Sequence, residues 1–481
     1  MTVNDQHDVQ RSSGQAKTGH LPDFEVRELP EPMSLRKMIG PGIVLVAIGV
    51  GSGEYISHPY ITSQVGLTFV WSAVLVILLQ YFINTEVVRY TLATGETIVT
   101  GFTRRWKMWA PLFIAMTAIP FAWPGWMASA ATLVTYTAGG GSVKLIAIIG
   151  LVIIGLILTL SPVVYQTVEK LEFLKVIAIL AFALFAILFV VGWRPWTELP
   201  RATFEGFGRL PAEVPTTFLI TAMVFAGGGG AVNLAISNWI RDKGWGMGVH
   251  APRVVSPITN KEEAGSGTGF EFDLTEENKA RWSQWWRNAK IEQFWSFAVV
   301  ASITIVVFVL IAYSVLGVGN YSGKGDLSFI QLEANLLAEK FGNFTKIAFL
   351  LIGSIALMFA NLVVVDLVAR ITADVLAVNY LRGHRFWTEA KVYATVVWVV
   401  VAMGLVILGA GFTQPIALLA VAAVLNGLVM VVYCALLVRL NRSLNPFIAM
   451  GRLRTVVLLV AMIFYAGFTA WVIKDQIGLL F

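Results

Sequence analysis

An all-α polytopic membrane protein of about eleven transmembrane helices is the architecture predicted by three observations. First, 57% of the 481 residues are hydrophobic and only 13% are charged, and the chain holds 16 Trp. A soluble domain carries about 25% charged residues, and half of that cannot cover a water-facing surface. Second, the apolar residues run in continuous stretches of helix-spanning length, with a mean hydropathy of +0.73. Alternation of the β-barrel kind is missing from them. Third, at about 20 apolar residues per span plus connections, the length accommodates ten to twelve helices. A soluble enzyme, a disordered chain, a collagen and a disulfide scaffold are excluded together.

Residues 1–35 hold no apolar stretch and read as a cytoplasmic polar tail, not a cleavable signal peptide. Spans then follow at 39–64, 67–94, 108–138, 143–160, 163–192, 214–241, 291–317, 344–378, 388–410, 413–440 and 453–474. They fall into a first five-helix repeat (36–192), a second (214–440) and a terminal segment (441–481) carrying the eleventh helix. Loop charge sets the orientation. Alternate connections hold Arg104, Arg105 and Lys107, then Arg241 to Lys290, then Arg382, Arg385 and Lys391, then Arg439 to Arg454. The others hold mainly Lys144, Arg194, Arg201, Arg209, Lys324 and Lys340. The positive-inside rule therefore expects a cytoplasmic amino terminus and an external carboxyl terminus, in a prokaryotic inner membrane.

Two connections stand out. The cytoplasmic loop 243–290 contains a Gly/Ser stretch and then Trp282, Trp285 and Trp286 among Arg281, Arg287 and Lys290. That mixture suits a helix at the headgroup level, an interfacial anchor. Gly319 to Lys340 reads as an external amphipathic segment. The net charge of +6 is scattered through short loops, so no nucleic-acid surface is implied.

The informative features are two glycine clusters inside strong spans. Span 1 contains Gly51-Ser52-Gly53-Glu54, and span 6 contains Gly227-Gly228-Gly229-Gly230-Ala231-Val232-Asn233. Each interior glycine costs a helix about 1 kcal/mol relative to alanine. Freed backbone in a bilayer is tolerated only where it is buried in protein or lines a cavity. Both clusters therefore predict unwound points, and both fall in the first helix of a repeat. With an odd number of spans per repeat, the second repeat is inverted. Interrupted helices at matching places of inverted repeats point to a transporter's substrate site; close helix packing is the alternative.

Gly40-Pro-Gly-Ile-Val-Leu-Val-Ala-Ile-Gly of span 1, Leu79-Gln80-Tyr81 and Thr94-Gly-Glu96-Thr around span 2, and Asn233-Leu234 with Ser237 to Arg241 of span 6 resemble the Nramp family of LeuT-type transporters. The resemblance implies a LeuT-type 5+5 inverted repeat with helices 1 and 6 broken. Departures fall at the metal site. Nramp proteins carry Asp-Pro-Gly-Asn at the first break and Met-Pro-His-Asn at the second. Here Gly51 replaces the aspartate, Glu54 the asparagine, Gly230 the methionine and Val232 the histidine, and only Asn233 is kept. Without the soft thioether, transition-metal selectivity is lost. Span 3, from Met108 to Gly139, contains no acidic residue, so the family's proton route is not expected either.

Ionisable residues within spans are functional suspects. Glu54 lies at the first break, and His58 follows four residues on, expected on the same side. Glu86 and Arg89 of span 2 are expected to pair, and Asp366, Arg370 and Asp374 of span 8 form a stripe that can neutralise itself. These pairs read as a gate or as structural glue. Glu169 and Glu172, bracketing Lys170, read as interfacial. Asn426 of span 10 reads either as reaching the site or as bonding helix to helix. Trp123-Pro-Gly-Trp126 predicts a kink in span 3. No phosphate-cradling loop is present, so ATP-driven pumping is not supported. The five His and single Cys lack zinc-site spacing, and neither a cofactor nor enzymatic activity is expected.

The expectation is a secondary transporter of a small cation, working by alternating access, with the lipid bilayer as its surroundings and possible use of a coupling ion. Glu54 and Asn233 would be the cation ligands, helped by backbone carbonyls of Gly51, Gly53, Gly227 and Gly230. An oxygen-rich set of this kind suits a hard ion such as Mg²⁺. The alternative is a small organic solute, an amino acid or amine, held by the glycine-rich breaks. A non-transporting membrane protein is the third reading.

Overall fold

In the computed structural model, residues 20–161, 164–251, 269–321, 323 and 325–478 are described. Arg253, Lys261, Lys324 and most of the Gly/Ser stretch lie outside them. Nine helical runs among these residues are long and apolar enough to cross a membrane. The count falls below eleven for two physical reasons. Spans 1 and 2 run together as Pro41–Thr94, turning through one short 3₁₀ stretch at Gly66–Phe69. Span 6 is two short helices, Thr216–Phe225 and Val232–Lys243, each under the length of a full crossing.

The other spans follow the apolar runs closely. Span 3 is broken into Trp109–Phe121 and Gly125–Ala138 at the expected Trp123-Pro124 kink, because proline cannot donate into the helical ladder. Span 4 is Val143–Leu160 and span 5 is Val164–Phe185 with a π turn beyond it. Spans 8, 9, 10 and 11 are Asn343–Asn379, Glu389–Gly409, Pro415–Arg442 and Arg452–Gly478. Span 8, the longest, packs against spans 1, 3, 5 and 9, and span 10 lies against spans 3, 6 and 11. Helices not foreseen occupy three connections: Ile98–Arg105, Trp193–Glu205 and Ser328–Phe341 within the expected amphipathic segment.

The aromatic-basic loop segment is a helix, Glu276–Glu292, that runs through a π turn into span 7, Val300–Val315. Two of its three tryptophans correct the lipid-facing expectation. Trp282 and Trp285 are 2% and 0% exposed; Trp282 lies beside the rings of Phe272 and Trp286, and Trp285 against the segment before span 1, a strap lying along this helix. Leu29, Pro30 and Met33 carbonyls accept from Arg281 at 2.9 Å, Trp285 at 2.8 Å and Asn288 at 3.2 Å. Arg104 donates to the Pro22 carbonyl at 2.6 Å, and Glu25–Val26 pairs in parallel with Phe270–Glu271. The strap thus ties the start of span 1 to two connections on what is called below the N-terminal face.

Candidate functional site

Span 1 does not unwind at its glycines. Its helix continues from Pro41 to Ser52, makes a π turn over Gly53–Ser57, and resumes at His58. The His58 amide closes this turn on the Gly53 carbonyl. One extra residue per turn disturbs the helical ladder without opening it, and such turns favour functional positions. Span 6 opens fully. After Phe225 the chain passes through Gly227, Gly228 and Gly230 at φ of 69°, 88° and 87°, a region that glycine enters without a steric penalty.

The two interruptions meet backbone to backbone. A Cβ on Gly49 would stand 2.6 Å from Gly227 Cα, and one on Gly53 2.6 Å from the Phe225 carbonyl oxygen. One on Gly228 would stand 2.5 Å from the Leu45 carbonyl oxygen. Real Cβ atoms do not come that close, so glycine here allows two chains to touch. Gly51 faces elsewhere, against Ala360 and the ring of Trp126. The Trp126 indole donates to Ser52 Oγ at 3.2 Å. Where the Nramp pattern has a carboxylate side chain, this chain has a glycine under an aromatic ring.

Glu54 is fully buried at this crossing. Its Oε2 accepts from the Thr304 hydroxyl of span 7, and the amide of Gly227 faces the same carboxylate. Oε1 has no hydrogen-bond partner among the described residues. The cation that acts on this carboxylate is Lys175 of span 5, a residue that sequence reasoning missed. Its ammonium pairs with Glu172 at 2.5 Å and donates to the Ala47 carbonyl of span 1 at 2.8 Å. The Ala356 carbonyl of span 8 lies 3.5 Å away. Glu172 is therefore not interfacial: it is 0% exposed, and Lys175 2%.

No hydrogen bond joins His58 to Glu54: His58 Nδ1 bonds the Gly53 carbonyl at 2.9 Å and Nε2 lies 3.3 Å from Ser72 Oγ. Asn233 faces a neutral polar cluster. It donates to Asn84 Oδ1 at 2.5 Å and to Gln80 at 3.5 Å, and it accepts from Tyr433 at 2.9 Å. Gln80 in turn donates to the Ala226 carbonyl at 2.7 Å. Asn426 accepts from the Ala231 amide at 2.9 Å, capping the second half of span 6, which Val232 begins. No hydrogen bond joins Glu54 to Asn233, and no group of three His, Cys, Asp or Glu forms a metal nest among the described residues. Gly229 packs against Gln80 and the Val224 carbonyl, and Gly230 against Asn426.

The charged residues nearer the N-terminal face form a network wider than span 8 alone. Arg370 pairs with Asp366 at 2.8 Å, as expected, but also with Asp242 of span 6. Asp374 leaves the stripe for Arg241, which also reaches Glu389 of span 9 at 3.0 Å. Thr97 and Thr100 donate to Asp374, and Tyr393 to Asp366 at 2.7 Å. The stripe cannot neutralise itself, because the second half of span 6 brings in its own Arg241-Asp242 pair. Glu86 and Arg89 do pair, at 2.8 Å, joined by Arg454 and Asn441 at 2.9 Å each.

The opposite face closes with aromatic rings. Tyr60 of span 1 stacks on Phe218 of span 6 at 3.8 Å between centroids, and Phe329 of the Ser328–Phe341 helix meets the edge of Tyr60. Glu333 of that helix is 2% exposed, and burial pushes its carboxyl up from 4.5 to about 8. Between those values the folded protein holds more protons than the unfolded chain, so stability falls as pH rises through the window. Thermal midpoints are expected to decline from pH 5 to 8, with a shallower decline in Glu333→Gln. An unchanged slope in that variant would contradict this account.

No family model and no curated protein sequence matches the chain. Solved structures do. A variant of the Eremococcus coleocola manganese transporter superposes at a TM-score of 0.68, with 12% identity over 95% of this chain and 90% of that one. The same transporter in complex with an aromatic bis-isothiourea substituted compound gives 0.64 and 13%, over 96% and 91%. A nucleobase-cation-symport-1 family transporter, closed around bromovinylhydantoin, gives 0.50 and 15%, over 92% and 95%. The fold is that of LeuT-type transporters.

Proposed function

We propose that the protein is a secondary transporter carrying a small, hard cation across the membrane by alternating access. The observation that carries this reading is Glu54: a fully buried carboxylate at the crossing of two interrupted helices, with one oxygen held by Thr304 and the other unpartnered. A buried ionised group is costly unless paired, and a cation entering between the breaks supplies the pair. Backbone carbonyls at the crossing, those of Phe225 and Leu45, add hard oxygen ligands of the kind Mg²⁺ accepts while keeping part of its water. The manganese transporter of the same fold adds support for an ion as cargo.

Trp126 favours a second reading, a small organic amine. Its indole lies over Gly51 and Ser52, and an indole face attracts organic ammonium groups. An uptake panel separates the two. Proteoliposomes bearing the protein are expected to accumulate Mg²⁺ or Mn²⁺ down an imposed gradient, unaffected by millimolar amino acids or alkylamines. Amine uptake with no metal flux would replace the first reading by the second, and no flux of either would overturn both.

A further inference from the structure

Trp286, on the helix leading into span 7, is surrounded by cations from three elements. Arg89 of span 2 lies 4.0 Å from the ring centroid, Arg454 of span 11 lies 5.0 Å away, and Lys290 lies 5.7 Å away. One acid serves this group. Glu86 already receives Arg89, Arg454 and Asn441, which leaves three cations against one carboxylate. Lys290 makes no ion pair among the described residues, and Arg454 and Arg89 act on it as repelling charges. Arg287 and Arg452 add two further exposed cations at the rim.

Exposed apolar residues set the depth of this cluster. Phe294 and Trp295, one turn beyond Lys290, are 46% and 62% exposed; Leu453 and Val456, flanking Arg454, are 72% and 56% exposed. Side chains of that kind face acyl chains, so the cations stand where the headgroup layer begins. The Tyr81 hydroxyl on the Lys290 carbonyl, 3.4 Å, holds the leading helix to span 2. The surface where the Glu276–Glu292 helix meets spans 2 and 11 is therefore basic and centred on the Trp286 ring.

We propose that this basic surface binds the phosphate of an anionic phospholipid, with Lys290 as the main contact and Arg287, Arg452 and Arg454 around it. Basic pockets between helices at the membrane surface recognise such headgroups, and the lipid's charge would offset the surplus that Glu86 leaves.

Native mass spectrometry of the full-length protein, with phosphatidylglycerol or phosphatidylcholine added to the micelles, tests this. Phosphatidylglycerol is expected to stay bound under activation that strips phosphatidylcholine. The double variant Lys290→Gln, Arg287→Gln is expected to hold it roughly 10- to 30-fold more weakly, while Lys290→Arg, Arg287→Lys keeps it. Equal retention of the two lipids, or full retention by the uncharged double variant, would overturn the proposal. The unfolding midpoint in detergent gives a second readout. It should rise with phosphatidylglycerol for the native protein only; an equal rise with millimolar sodium phosphate would overturn the lipid assignment in favour of a soluble anion.

Discussion

Glu54→Gln is expected to abolish gradient-driven cation uptake in proteoliposomes while leaving the fold intact. The substitution keeps the side chain's size, and its amide oxygen can still accept from Thr304 and face the Gly227 amide, the contacts that Glu54 makes now. Only the charge goes. A hydrogen bond or ligand contact to a charged group is worth about 1.5–3 kcal/mol, roughly 10- to 100-fold in affinity. Loss of a sole anionic ligand should therefore remove measurable transport at working concentrations. The comparison that decides is uptake against unfolding midpoint. Wild-type flux in a variant that folds normally would refute Glu54 as a ligand. A collapsed midpoint would mean that the residue supports the fold, and flux would then be read from Glu54→Asp, which keeps the charge.

Lys175→Met should be the most destabilising single change of charge in the protein. It leaves Glu172 buried and unpaired, and it strips the Ala47 carbonyl of its donor. Breaking a buried ion pair from one side costs about 3–5 kcal/mol, whereas replacing both partners by apolar side chains of similar volume is often neutral. Lys175→Met combined with Glu172→Leu is therefore expected to recover most of the lost thermal stability. Uptake should not recover with it, because the ammonium also joins span 5 to span 1 and acts electrostatically on the Glu54 carboxylate. Equal midpoints for the single and double variants would contradict the pairing. Wild-type uptake in the stabilised double variant would confine Lys175 to a structural role.

Much of this was legible in the chain. Continuous apolar runs mark the spans, because a bilayer demands about 20 such residues whatever the packing. Four consecutive glycines mark the opening of span 6, and Pro124 marks the kink of span 3. The π turn at Gly53–Ser57 was not legible, since it inserts a single residue into the ladder and leaves composition and hydropathy untouched. Nor does the i, i+4 spacing of Glu54 and His58 reveal that the imidazole bonds the Gly53 carbonyl and lies beside Ser72. Partners were out of reach too: Thr304 lies 250 residues from Glu54, and nothing local in either segment announces the other. Lys175 was missed for a different reason. It follows Lys170 and Glu172 closely enough to pass for the tail of an interfacial cluster, although it lies about three turns into the span. The burial of Trp285 was not legible because the surface it packs on comes from a polar segment with no apolar signature.

That strap grips its neighbours chiefly with main-chain oxygens. Arg104, Arg281, Trp285 and Asn288 all donate to carbonyls, those of Pro22, Leu29, Pro30 and Met33. Every residue type presents the same carbonyl, so most of the recognition is indifferent to which side chains the strap carries. Apart from Leu29, which is fully buried, and Phe24, whose ring lies 4.3 Å from the Arg104 guanidinium, side-chain identity in 22–33 is expected to matter little to this docking. The strap's length and path are what the protein has to preserve.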